Sequence, residues 1–124
     1  MGSFSEDMSD RFMVFVVNII KFEKQLCKTF SGRHIYGQLF RAGTSAGANY
    51  EEARAGESRA DFIHKMQIVL KELRESHFWI KLIIAAKMIP SEDEVLKFIF
   101  NESKKLASIT AKSVVTAKSK IREK

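Results

Sequence analysis

Apolar side chains recur at steps of three and four residues along almost the whole of this 124-residue chain, which contains a single proline, Pro90. That spacing places them on one side of a helix, whereas a half-buried strand needs every second residue apolar. The chain is therefore predicted to be all-α. Phe12, Val16, Ile19, Phe22, Leu26 and Phe30 mark a first helix over residues 10–31, beginning near Ser9 or Asp10 and closed by Gly32 in the left-handed conformation that often ends a helix. The β-branched stretch Val14–Val17 would suit a strand, but the stripe runs on to Lys28 and its length decides for helix.

Three further stripes follow at the same period. Ile35, Leu39, Ala42, Ala46, Asn49 and Ala53 define a helix over residues 33–55, closed by Gly56; Phe62, Met66, Val69, Leu73, Ser76, Ile80 and Ile83 define one over 58–88, stopped by Pro90. Leu96, Ile99, Ser103, Leu106, Thr110, Val114, Ala117 and Ile121 define the last, over 91–121. Ser58 with Asp61, and Ser91 with Glu94, have the spacing of a capping box. Short connections between four helices favour antiparallel neighbours, so residues 1–124 are expected to form one up-down-up-down four-helix bundle.

Two places strain this pattern. Ala42–Ala48 is a run of small residues containing Gly43 and Gly47, each costing about 1 kcal/mol against alanine inside a helix. Close approach of a neighbouring helix would offset that cost; a phosphate loop would need a spacing and a lysine that are missing here. In the third helix Trp79, Leu82 and Ile84 lie off the main stripe, so the helix is apolar on several sides. Those three residues are expected to face another subunit.

Charge divides the chain in two. From Lys104 onward seven bases, Lys104, Lys105, Lys112, Lys118, Lys120, Arg122 and Lys124, are opposed only by Glu123, whereas the preceding residues carry 14 bases and 14 acids. The whole formal charge of +6 therefore sits at one helix end. On a helical wheel these bases avoid the apolar stripe, leaving an amphipathic helix with a basic outer face. Such a face suits phosphate contact of weak sequence specificity and strong salt dependence, and it equally serves solubility. Arg54, Arg59, Lys65, Lys71, Arg74 and Lys81 form a second basic series, most of it expected to be compensated by neighbouring acids, with Glu72 and Glu75 as ordinary surface charges beside Lys71 and Arg74.

Catalytic chemistry finds no residue to rest on. His34, His64 and His77 stand in no zinc-binding pair, and Asp61–His64 is a single copy of the Glu-x-x-His pattern that di-iron bundles repeat. Cys27 is alone, which excludes a disulfide framework and fits the reducing cytoplasm; within its helix it is expected to be an inert buried thiol. The longest apolar runs, Phe12–Ile20 and Phe78–Ile89, are too short or too charged to span a bilayer, and no secretory signal is visible. No cofactor, no metal and no enzymatic activity are expected.

Tyr36–Ala42, Ser45–Ala53, Ser58 to Phe62 and Leu70–Glu75 with Phe78-Trp79 resemble, in order, the signature of a bacterial family of four-helix-bundle proteins encoded in intervening sequences of 23S ribosomal RNA genes. That family is in turn similar to the accessory protein of diversity-generating retroelements. The resemblance implies a homopentameric ring around a central pore and, by likeness to the retroelement protein, contact of a basic surface with RNA or DNA. By likeness to the retroelement protein alone, it also implies a reverse transcriptase as partner. No biochemical activity is established for the intervening-sequence proteins. Arg41, Asn49, Glu52, Asp61 and Phe62 occupy the family's motif positions, where structural roles are expected: Arg41 and Asn49 bonding across helices or subunits, Asp61 capping a helix. Relatives often carry proline where Gly47 stands, so a kink there is missing or differently made. A structural or protein-binding scaffold is the competing reading.

Overall fold

Four long helices and one short one build the described part of the molecule, residues 3–56 and 58–122 of a computed structural model. They are α1 (Phe4–Ile20), α2 (Glu23–Leu26), α3 (Phe30–Arg54), α4 (Arg59–Ala85) and α5 (Glu94–Arg122), and no strand occurs among the described residues. Long-range bonds give the directions. Tyr50 Oη donates to the Ser5 carbonyl at 3.1 Å, and the side chain of Ile19 meets Gly43, so α1 and α3 run antiparallel. Lys65 pairs with Glu52 at 2.8 Å while Arg41 reaches Glu72, so α3 and α4 are antiparallel too. His77 bonds Ser103 near the middle of α4 and α5, and Arg11 bonds Glu102, which closes the ring of neighbours from α5 back to α1.

The expected stripes become the core with few exceptions. Phe12, Ile19, Phe22, Leu26, Leu39, Leu73, Ile80, Ile83, Leu96, Ile99 and Leu106 are buried together with Met8, Phe15, Tyr36 and Tyr50. Phe15 takes the inward place assigned to Val16, because the buried positions of α1 step through Met8, Phe12, Phe15 and Ile19. Phe30 and Ile121 are exposed rather than buried, one starting its helix and the other in the last turn of α5. Gly43 explains part of the small-residue run: a Cβ there would lie 2.8 Å from Ile19 Cδ1, so α1 approaches closely. At Gly47 the nearest atom, Phe12 Cβ, would be at an ordinary 3.8 Å, and α3 continues unbroken through it.

Helix ends differ most from expectation. α1 begins at Phe4, not near Ser9, because Ser3 and Glu6 form a reciprocal capping box, with Ser3 Oγ accepting from the Glu6 N–H at 3.1 Å. The helix expected over 10–31 is broken after Ile20 and again at Cys27–Thr29, which lets Phe22 and Leu26 turn inward. Cys27 is thus half-buried in a connection rather than inside a helix. Gly32 does not end a helix; it lies in the first turn of α3, where Thr29 Oγ1 accepts from its N–H at 3.0 Å. Its glycine identity answers to space, since a Cβ would fall 1.8 Å from the Leu26 carbonyl oxygen. No described glycine has positive φ, so Gly56 likewise follows the end of α3 without a left-handed turn.

Among the described residues the left-handed one is Lys87, at φ 55°. Its N–H donates to Ile84 O and the Met88 N–H to Ile83 O, both at 3.1 Å, the paired bonds of a Schellman motif. α4 therefore stops at Ala85, ahead of residue 88 and without help from Pro90. α5 starts at Glu94 rather than 91, because Asp93 Oδ1, not Ser91, accepts from the Leu96 N–H at 2.9 Å.

Candidate nucleic-acid interface

The basic end is built by the register of α5. Leu106, Thr110, Val114 and Ala117 point into the core, which turns Lys104, Lys105, Lys112, Lys118, Lys120 and Arg122 outward, all exposed. Lys124 lies outside the described residues. At about 100° per residue, Lys105, Lys112 and Lys120 share one flank of the helix and Lys104, Lys118 and Arg122 the other. Each flank borders a cleft.

The first cleft, about 660 Å³, lies at the end of the bundle where the start of α1, the start of α4 and the end of α5 converge. Phe4, Phe62 and Ile109 give it an apolar lining, and Arg59, Lys112 and Lys120 stand around it. The second, about 470 Å³, runs between α4 and α5 and is lined by Arg74, His77, Lys81, Ser103, Lys104 and Ala107. Ser103 Oγ donates to the Phe100 carbonyl at 2.9 Å, so it accepts from His77 Nδ1 at 2.8 Å. That network assigns the proton to Nδ1 and leaves Nε2 as acceptor. Partial burial, with Lys81 and Lys104 nearby, pushes the His77 pKa below its ordinary 6.5 and favours the neutral ring.

Ion pairs separate structural from free bases. Glu102, buried in α5, is held by Arg11 in a two-bond fork of 3.0 and 2.8 Å. Glu72, buried in α4, accepts from Arg41 at 2.9 Å, and Arg41 also pairs with Glu75. These acids are therefore held by α3, not left as surface charges beside Lys71 and Arg74. Arg54 and Lys65 are compensated by Glu51 and Glu52, as expected. The remainder of that second series is not: among the described residues Arg59, Lys71, Arg74 and Lys81 have no carboxylate within 4.0 Å, nor do the exposed bases of α5 from Lys104 on. Sequence proximity misled here because helical neighbours in number point to different sides.

The motif residues take structural places. Arg41 bonds across helices as expected; Asn49 does not, since its Nδ2 donates to Ser45 O at 2.9 Å within α3. Glu52 pairs with Lys65, and Phe62 lines the end cleft. Ser58, rather than Asp61, caps α4, accepting from the Asp61 N–H at 3.1 Å; the Asp61 carboxylate contributes a favourable charge in the first turn. Trp79, Leu82 and Ile84 are half-buried against the chain's own core, and Trp79 Nε1 donates to Glu75 at 3.2 Å. A larger exposed apolar row, Met13, Val14, Val17 and Ile20 on α1, was hidden in the sequence because it shares a helix with core residues at the same period.

An antiparallel helical bundle with buried carboxylates held by arginines and an uncompensated basic end is the class that fold and site define. The family model described as 23S rRNA-intervening sequence protein matches residues 7–114, and the chain belongs to that family. It is similar to a solved structure from Bacteroides thetaiotaomicron, a protein of unknown function from the S23 ribosomal protein family. The two are 34% identical with a TM-score of 0.77, over 86% of this chain and 97% of that one. No curated protein matches the chain. No described helix is long and apolar enough to cross a membrane.

Proposed function

We propose that this protein is a non-enzymatic, cytoplasmic, homo-oligomeric protein that holds RNA or DNA by its phosphates, with weak sequence specificity. One observation carries the reading. Lys104, Lys105, Lys112, Lys118, Lys120 and Arg122 are exposed and unpaired among the described residues, and Arg59, Arg74 and Lys81 of α4 border the same clefts. Uncompensated cations released from intramolecular pairing are available to displace counterions from a phosphate backbone. The family's link to 23S rRNA genes supports the same direction.

Mobility shifts with structured RNA and with DNA test it. Binding at low salt is expected to weaken steeply as salt rises, with a log–log slope near −0.9 per phosphate neutralised, and each lysine removed from α5 should lower that slope by about 1. Unchanged binding after alanine replacement of Lys112, Lys118 and Lys120 would sink the proposal.

Assembly into a ring of five follows the family resemblance and is supported by the exposed apolar row of α1 and by Phe78 beside Trp79. Five copies of the +6 end would gather a formal +30. Light scattering that reports 14.2 kDa at micromolar concentration would contradict self-association. A reverse transcriptase as partner rests on likeness to the retroelement accessory protein alone. The exposed row of α1 also favours a second reading, a protein-binding scaffold; a pull-down unaffected by nuclease, with no shift of any polyanion, would select it.

A further inference from the structure

The end cleft differs from the rest of the basic face in carrying aromatic surface. Phe4 is 67% exposed, a cost for a large apolar ring that the chain's own packing leaves standing. It sits with the half-buried Phe62 and Ile109 on the lining of a cleft of about 660 Å³, a volume inside the roughly 300–1,000 Å³ of ordinary ligand pockets. Arg59, Lys112 and Lys120 surround that apolar surface, and two of them belong to the phosphate-binding face already described.

We propose that this cleft takes an unpaired base of a single-stranded or looped nucleic acid. The base lies against Phe4 and the Phe62–Ile109 floor, and the adjoining phosphates lie on Arg59, Lys112 and Lys120. The proposal rests on the nucleic-acid reading and adds a preference to it. A duplex keeps its bases stacked inside and offers only phosphates, so it gains nothing from Phe4; a single strand gains both contacts. Charge complementarity favours this occupant over an amphipathic lipid anion, because three cations border the cleft and a nucleic-acid strand supplies several phosphates, whereas a fatty acid supplies one carboxylate. Ring and cations come from α1, α4 and α5, which join residues more than 100 positions apart.

Fluorescence anisotropy with the full chain at low salt tests the inference, using labelled oligo(U), oligo(dT) and a duplex, each of about ten nucleotides. The wild type is expected to bind the single strands more tightly than the duplex. Phe4→Ala should weaken single-strand binding by roughly fivefold to a hundredfold, the range of one lost base–aromatic stack, and leave duplex binding within about twofold. Phe4→Leu keeps apolar bulk without a ring face; it should fold as the wild type and show most of the same loss. Comparison of oligo(U) with oligo(dT) tells RNA from DNA. If both variants bind single strands as the wild type does, or lose single strand and duplex alike, the cleft has no base-stacking role while the phosphate reading stands. If none of the three probes binds the wild type, or binding ignores Lys112→Ala with Lys120→Ala, the parent reading has failed. Saturable binding of dodecyl phosphate abolished by Phe4→Ala, with no preference for single strands, would replace the nucleotide by a lipid anion.

Discussion

The two halves of α5 use the same residue types in opposite ways. In its first half Glu102 is buried and forked to Arg11, Ser103 bonds His77, and Leu106 is fully enclosed. In its second half the bases find no carboxylate among the described residues, and the helix opens on the end cleft. Partnership from another helix makes Glu102 and Ser103 structural; among the described residues its absence leaves the bases from Lys104 on available for the proposed binding. Stability and binding should therefore respond to different substitutions.

The sharpest test of the structural side is Gly32→Ala. The added Cβ would collide with the Leu26 backbone carbonyl, which cannot move without opening the α2–α3 corner, so a loss of about 4 kcal/mol or more in chemical denaturation is expected. Arg11→Met comes next: it leaves Glu102 buried without its fork, and because Arg11 is itself partly exposed the expected cost is about 1–3 kcal/mol, reduced in the double variant with Glu102→Met. Neither change should alter polyanion affinity of the folded protein.

Removing charge from the other half should do the reverse. Lys112→Ala with Lys120→Ala is expected to leave stability within about 0.5 kcal/mol and to weaken polyanion binding roughly tenfold at low salt. A matched loss of stability would erase the distinction between the halves. Thr110 sits at their junction, buried with an Oγ1 that finds no hydrogen-bond partner among the described residues; Thr110→Val should stabilise by about 1 kcal/mol and leave binding alone.

The smallest effect concerns pH. His77 has a lower pKa folded than unfolded, chiefly through burial and then through Lys81 and Lys104, so the unfolded chain binds the extra proton. Stability from this group is present above the ordinary pKa of 6.5 and declines as pH falls through it, by less than about 1 kcal/mol after solvent screening. His77→Gln should flatten that decline. A bound phosphate would draw the pKa back up, so polyanion affinity should rise modestly over the same interval, against the trend in stability.

Local pattern made much of this legible. The all-helical class, the inward faces of α3, α4 and α5 and the outward basic end all follow from spacing, which acts within a few turns; the fifth, short helix α2 does not. The starts of α1 and α3 were legible in principle, since Ser3 with Glu6 is a capping box and Thr29 is a favoured N-cap residue. The stripe through Phe22 and Leu26 obscured them, because an inward-turning corner keeps helical spacing while breaking the helix.

By itself the sequence determined an all-helical chain with four apolar stripes and one cationic end, because periodicity and composition act through neighbours in number. Only the tertiary structure decided which charges are spent. Arg11 and Arg41 are consumed by carboxylates 91 and 31 positions away, while Lys71 and Arg74, beside Glu72 and Glu75 in number, have no carboxylate within 4.0 Å among the described residues. It also decided that Phe4 stands with Lys112 and Lys120, since antiparallel packing brings the first helix against the end of the last.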